Sequence, residues 1–219
     1  QLRRSELVEQ GGAHSNTMAA AETMAGTAQP PPPVYEPVAS CPASVLLAED
    51  GASLLHSTCA LWATVFAKPG RTAETMQAAQ QAELEGEARE EQWHVVWRPA
   101  VRGSGDQMVV AACRSFVRVI KAGDGQEVRV LALAHVASHP DTRGHGLGLQ
   151  VVEAAMKRVD DDPTIAASLF QTGVPKFYTS KLGAVEISHG VVNSTGEGSD
   201  EKRRKGFWDP HVMLYPASA

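Results

Sequence analysis

The sequence is short of several things, and each shortage excludes a class of protein. It has three cysteines in 219 residues, Cys41, Cys59 and Cys113, none spaced as C-x-x-C. Neither a disulfide framework nor a cysteine zinc site follows from such a set, and a reducing compartment is expected. Basic residues are not in excess: 20 Lys and Arg stand against 25 Asp and Glu, for a formal charge of -5. General nucleic-acid and anionic-membrane binders carry the opposite balance, so no nucleic acid and no membrane is expected as a partner. No apolar run approaches the roughly 18 residues of a membrane-spanning helix. The first 30 residues also lack the apolar segment of a secretory signal, and the expectation is a soluble, cytoplasmic protein. H-x-x-H and H-E-x-x-H patterns are absent, and no metal is expected.

What is present divides at about residue 37. Residues 1–37 are poor in large aliphatics and end in "AQPPPPVYEP", a composition that buries too little apolar surface to offset its ordering entropy. A disordered, proline-rich tail is expected there; "MAAAETMAG" from Met18 reads as a natural start, and residues 1–17 are expected to be either added or upstream sequence. Residues 38–219 are expected to form a single domain. "ASVLLAED" reads as its first strand. From Ala52 to Phe66, Leu54, Leu55, Leu61, Trp62, Val65 and Phe66 recur at helical spacing, and "KPG" stops the run. A second helix, capped by Thr72, carries only a thin apolar stripe of Met76, Ala79 and Leu84 and belongs on the surface. Three runs rich in Val, Ile, Phe and Trp follow, "QWHVVWRP", "QMVVAACRSFVRVIKA" and "QEVRVLALAHVASHP". They are separated by turn compositions, which predicts antiparallel hairpins. A helix from about Leu147 to Val159 turns Leu147, Val151, Val152, Ala155, Met156 and Val159 to one face. "TIAASLF", "VPKFYTSKL", "AVEISHGVV" and "HVMLYP" then read as strand, helix, strand and strand, with the polar insertion "NSTGEGSDEKRRKG" before the last. The class is mixed α/β.

Arg143-Gly144-His145-Gly146-Leu147-Gly148 joins a strand to a helix. There the free backbone N–H groups and the positive end of the helix dipole converge, and glycine lets a ligand approach the backbone. Arg143 can neutralise a diphosphate. A Walker loop is excluded because no G-K-[ST] follows, and glycines at 144, 146 and 148 miss the G-x-G-x-x-G spacing of a dinucleotide fold. On spacing alone, a phosphate cradle and a structural turn both remain open.

"SHPDTRGHGLG" resembles the acetyl-CoA signature of the GNAT superfamily of N-acetyltransferases, with Arg143, Gly146 and Gly148 in the fixed positions of R-x-x-G-x-G. "SLFQTGVPKFYTSKLGAV" is similar to that family's second motif. The resemblance implies a GNAT-like mixed, mostly antiparallel twisted sheet flanked by helices, with a splayed central parallel strand pair formed by "VLALAHVAS" and "TIAASLF". It implies acetyl-CoA as cosubstrate, held by Val136, Ala137, Ser138, Arg143, Gly144, His145, Gly146, Leu147, Gly148, Gln171 and Phe177, and Tyr178 as the acid that protonates the departing thiolate. Three positions depart from the pattern. Gln171 stands where asparagine is usual, one extra residue separates Tyr178 from Gly183, and Ser138 replaces the commoner valine.

Acetyl transfer needs a neutral amine, and an amine with a pKa of about 10.4 is neutral only about once in 2,500 at pH 7, a deficit of roughly 4 to 5 kcal/mol. Backbone N–H groups near Val136 to Ser138 would stabilise the oxyanion. The base stays unassigned. Counting back from Ser138, strand alternation sets Val136, Ala134 and Ala132 on one side and His135 on the other, which makes His135 a core or helix-facing residue if the Ser138 side meets substrate. His139 and His145 lie at the turn, against phosphate or solvent. Glu49, Asp50 and Glu91 are the acids nearest predicted strands and are not ranked. Cys113 reads as a small buried residue rather than a nucleophile. Lys202 to Lys205 read as a solvated loop or a grip on a phosphate, and Phe207 and Trp208 as core or substrate wall. The expected function is transfer of acetyl to a primary amine by direct attack, favouring a small molecule. A peptide or protein amine, or a non-catalytic CoA-binding module, is the alternative. A homodimer is compatible with either.

Overall fold

The computed structural model describes residues 33–86, 90–99, 108–188 and 209–216, and the unit considered runs from Val34. Its β-branched middle forms the centre of a seven-stranded sheet. The strands are β1 (Ala39–Pro42), β2 (Gln92–Arg98), β3 (Met108–Lys121), β4 (Glu127–Ser138), β5 (Ala167–Thr172), β6 (Val185–Ile187) and β7 (His211–Tyr215). They lie in the order β1-β2-β3-β4-β5-β7-β6. Neighbours are antiparallel except β4 and β5, which are parallel. The "GDG" turn closes the β3–β4 hairpin through Ala122 N–H on the Gln126 carbonyl at 2.9 Å, with Gly125 at φ 85, a conformation glycine adopts freely.

Among the described residues, five α-helices cover the sheet: α1 (Ala43–Leu46), α2 (Ala52–Val65), α3 (Ala73–Gly86), α4 (Leu147–Asp161) and α5 (Pro175–Leu182). The expectation that "ASVLLAED" is a strand is corrected here. The ladder with β2 ends at Pro42, and Ala43–Leu46 coil into one helical turn that buries Leu46 and leaves Val45 and Leu47 exposed. Gly51 fits against that turn because a Cβ there would lie 2.0 Å from the Val45 carbonyl oxygen.

Each face of the sheet has its own core. On one, Leu147, Val151, Val152, Ala155 and Met156 of α4, and Tyr178 of α5, pack on Val96, Val110, Leu133, Phe170 and Met213. All six apolar positions expected on the α4 face are buried. On the other, Leu55, Cys59, Leu61 and Trp62 of α2 and Met76 of α3 pack on Trp93, Val95, Val109, Ala112 and Ala137. Burying side chains of this size contributes roughly 1.5 to 3 kcal/mol each. The alternation of Val95 and Val96 between the two cores is the period-two geometry of a strand.

Buried polar groups tie helices to strands. Arg114 of β3, 2% exposed, donates to Gln80, to both carboxylate oxygens of Glu83 at 2.8 and 2.9 Å, and to Glu91 at 3.0 Å. This docks α3 where its apolar stripe is thin. On the α4 face, buried His94 lies between Ser40 Oγ and Ser115 Oγ, each at 2.8 Å. Arg158, near the C-terminus of α4, donates to the Ser115 carbonyl at 3.0 Å, to its Oγ at 2.9 Å and to the Glu90 carbonyl at 2.8 Å. Burial, with Arg158 adding to it, holds the His94 imidazole down at about 4, so it is neutral at pH 7. Among the described residues, no helix is long and apolar enough to cross a membrane.

Candidate functional site

The parallel pair is short. β4 and β5 are in register only at Val130↔Ala167 and Leu131↔Ser168, where Ser168 Oγ donates to the Leu131 carbonyl at 2.9 Å. Beyond it β4 keeps its ladder with β3 as far as Ser138, and β5 keeps its ladder with β7 as far as Thr172. The two inner edges therefore carry backbone groups without a strand partner among the described residues, a ready line of donors and acceptors for an extended ligand.

At the end of β4 the chain turns a fixed corner. His139 N–H donates to the Val110 carbonyl at 2.8 Å and Thr142 N–H to the His139 carbonyl at 3.0 Å, and His139 Nδ1 accepts from Asp141 N–H at 3.3 Å. Arg143 follows, its N–H bonded to the Pro140 carbonyl at 3.3 Å and its exposed side chain without a hydrogen-bond or ion-pair partner among the described residues. Gly144 and Gly146 take φ 86 and 74, values that favour glycine. Leu149 and Gln150 N–H both turn back to the Gly146 carbonyl, at 3.0 and 3.1 Å. The N–H groups of Gly144 to Gly148 make no backbone hydrogen bond among the described residues, and they gather at the positive end of the fifteen-residue α4. Gly148 is needed for a different reason: its φ is ordinary, but a Cβ would lie 2.8 Å from Ser138 Oγ. Three glycines thus let a helix start hard against a strand end with its donors outward, and the donor set fits a diphosphate.

The remaining site candidates take these places. Val136 packs against the α4-side core and Ala137 is buried on the α2 side. Leu147 is buried, and exposed His145 stands beside Tyr35 with ring centroids 5.5 Å apart, a contact with no signal in the sequence. Gln171 is half-buried on the β5 face opposite Phe170 and Thr172. Tyr178 is buried between Phe170 and Phe177, at centroid distances of 4.7 and 4.9 Å. Burial first, then Cys113, push its hydroxyl above the usual tyrosine value, against a hydrogen bond with Thr172, so it stays protonated and able to donate. The extra residue before Gly183 is absorbed after Tyr178, where Gly183 and Ala184 N–H both reach back to the Tyr178 carbonyl in a wide last turn.

β4 departs from simple alternation. Its ladder with β3 shifts between Ala112↔Ala137 and Arg114↔Ala134, one residue more on β4, and His135 there takes φ 52. Leu133 and Val136 consequently share the α4 face, while His135 and Ala137 share the α2 face. The expected set of 132, 134 and 136 on one side is broken by this bulge. His135 stands against Trp62 and Phe66, at centroid distances of 4.8 and 5.9 Å.

Of the acids, Glu91 is buried and bound by Arg114 and by Trp93 Nε1 at 2.7 Å, while Glu49 and Asp50 are exposed on the turn before α2. Cys113 is fully buried, its Sγ donates to the Val151 carbonyl at 3.2 Å, and burial pushes the thiol up, away from the nucleophilic thiolate. Residues 202–205, Phe207 and Trp208 lie outside the described residues.

No protein-family model matches the chain, and no curated protein matches it. Solved structures do. Escherichia coli ElaA is 16% identical, with 83% of this chain and 98% of that chain covered and a TM-score of 0.48. Glucosamine-6-phosphate N-acetyltransferase from Arabidopsis thaliana is 14% identical, with coverage of 76% and 99% and a TM-score of 0.47. A conserved protein of Enterococcus faecalis V583, named as a probable N-acyltransferase, is 15% identical at a TM-score of 0.49; the match covers 69% of this chain and spans only 32% of that one.

Proposed function

We propose that the chain is a GNAT-type N-acetyltransferase that uses acetyl-CoA and acts by direct attack of a primary amine, with a small-molecule amine favoured by its acidic balance. The observation that carries the reading is the parting of β4 and β5 ahead of a turn that presents the N–H groups of Gly144 to Gly148 beside Arg143. In this reading the turn and Arg143 hold the diphosphate, and the inner edge of β4 from Val136 to Ser138 pairs with the amide-bearing arm. Gln171 and Phe177 flank the opening.

The bound thioester supplies an activated acetyl group; the protein's part is to bind, orient and stabilise. N–H groups on the inner edge of β4 face the place where negative charge develops on the acyl oxygen. Fixed donors there lower the barrier because they need no reorganisation. Tyr178, kept protonated by burial, is the group that gives a proton to the departing sulfur.

Thermal unfolding with acetyl-CoA, CoA, ATP and NAD tests the reading. A ligand bound only by the folded state raises the midpoint, and the expected rise is with acetyl-CoA and CoA alone; no rise with either sinks it. Tyr178→Phe is expected to lower thiol release from acetyl-CoA by about 10²-fold or more while leaving the CoA-induced rise intact. Unchanged turnover removes Tyr178 from the acid role. The depth of Tyr178 and its Thr172 bond favour one second reading, a CoA-binding module without catalysis, in which every amine offered leaves acetyl-CoA intact.

A further inference from the structure

The α2 face of the sheet holds polar groups that the acetyl-transfer reading leaves unused. Thr58 Oγ1, Trp62 Nε1 and His135 Nδ1 are enclosed there without a hydrogen-bond partner. Each such group costs about 1 to 3 kcal/mol, and folded proteins keep few of them. Thr58 and Trp62 lie one turn apart on α2, and the Trp62 ring stands 4.8 Å from the His135 ring. His135 carries a second penalty, since at φ 52 a residue with a Cβ is strained by roughly 1 to 2 kcal/mol. Strain of this kind persists where the surroundings hold it for a purpose. The neighbours on β4 are Leu131, Ala132, Leu133, Ala134, Val136 and Ala137; an aliphatic residue would fill this slot without an orphaned nitrogen.

The position gives the strain a use. His135 lies on the stretch of β4 that has left β5, four residues past the last paired position, Leu131. Its ring is held between Trp62 and Phe66, Nδ1 is sealed, and Nε2 has no hydrogen-bond partner among the described residues. Half-buried Phe66 and Arg71, which is fixed by its bond to the Phe66 carbonyl at 2.8 Å, stand on the same side.

We propose that His135 is the acceptor-side contact of the enzyme: its Nε2 accepts an N–H of the incoming amine and holds the nitrogen beside the open edge of β4. This rests on the acetyltransferase reading. The groups facing the imidazole are Arg114, Glu83 and Arg71; burial first, then Arg114, hold it down at about 4. At pH 7 it therefore offers a lone pair without a positive charge to repel an ammonium. Its role is to orient, since a group titrating at about 4 cannot keep the proton of an amine with a pKa of about 10.4.

The test uses ethylamine, the part common to primary-amine acceptors. In CoA-loaded wild-type protein, the His135 imidazole signals are assigned by their contacts with Trp62 and Phe66 and followed by nitrogen-15 NMR as ethylamine is added. The Nε2 signal is expected to move, and an unmoved signal overturns the proposal. His135→Asn, which tolerates the left-handed backbone, is expected to cut acetyl-CoA consumption with saturating CoA donor and limiting ethylamine by about tenfold, the worth of one hydrogen bond to a charged group. Its acetyl-CoA-induced rise in midpoint should match the wild type. Consumption within twofold of wild type overturns the proposal; should the variant fail to fold, the wild-type titration decides alone. A wild-type protein that shows no midpoint rise with acetyl-CoA refutes the acetyltransferase reading itself, whereas a rise with an unmoved Nε2 signal refutes only the role of His135.

Discussion

Under α4 and α5 the sheet meets an apolar layer in which the buried polar side chains are satisfied, His94 by two serine hydroxyls and Ser115 by Arg158. Under α2 and α3 it buries a guanidinium with two carboxylates, and every enclosed orphan atom among the described residues belongs to that side: Thr58, Trp62, His135 and the Arg114 Nε. The last of these is still 3.0 Å from Glu91 Oε1, close enough for an ion pair though misaligned for a hydrogen bond. The contrast separates two uses of burial. One face fixes the aim of the helix that, in the proposed function, would bind the diphosphate, and the other keeps polar capacity in reserve at the strand edge where an acceptor would arrive.

Breaking the α2-side ion cluster should do the most damage. Arg114→Ala leaves Glu91, 4% exposed, as a buried carboxylate without its cation, and a loss of about 3 to 5 kcal/mol is expected in urea unfolding. Arg114→Met with Glu91→Gln should recover much of it, since matched removal of both charges avoids the stranded ion. A loss below about 1 kcal/mol for Arg114→Ala would show that α3 docks without the cluster.

Acid should reach the α4 face through His94. Its ordinary value of 6.5 is held down to about 4 in the folded protein, so between these values the unfolded chain takes up a proton that the folded one refuses. Stability is then full above pH 6.5 and falls as the pH drops towards 4, by on the order of 3 kcal/mol for this group. His135 titrates in the same window, so His94→Gln should remove only part of the slope of denaturation midpoint against pH. An unchanged slope would mean that His94 is not the group held neutral.

The smallest effect sharpens the comparison at the turn. Gly146→Ala forces a Cβ to φ 74 and should lose roughly 1 to 2 kcal/mol, together with part of the acetyl-CoA-induced rise in midpoint. Gly123→Ala is the control, because a Cβ there meets nothing within 4 Å and its φ is ordinary. Equal losses at the two positions would deny Gly146 its special conformation.

The sequence made the α4 face legible because period and burial agree there: six apolar positions at helical spacing are the six that pack. Hairpins β2 to β4 were legible from composition instead, as runs rich in Val, Ile, Phe and Trp divided by turn residues; β2 and β3 are buried in continuous runs rather than in alternation. The reading failed where one residue changes the phase. "ASVLLAED" has strand composition throughout, yet the ladder stops at Pro42 and the next four residues coil. Within "LALAHVAS" the extra residue at the bulge leaves no mark, since alanines on both sides look alike whichever way they point, so the face of His135 was set by pairing with β3. In the glycine turn, the need for glycine at 144 and 146 follows from φ, but the need at 148 depends on how close Ser138 comes, a tertiary fact. The depth of Tyr178 is of the same kind.

Arg158 turns α4 into a lever. It clamps the C-terminal end of the helix to Ser115 and to the Glu90 carbonyl, while the glycine turn sits at the other end. Fifteen residues at about 1.5 Å each give an arm of about 22 Å, so a tilt of about 3° at the clamp moves the turn by about 1 Å. A displacement of that size is enough to spoil the alignment of reacting groups. The aim of the proposed diphosphate cradle is thus decided in part by a guanidinium at the far end of the longest helix among the described residues.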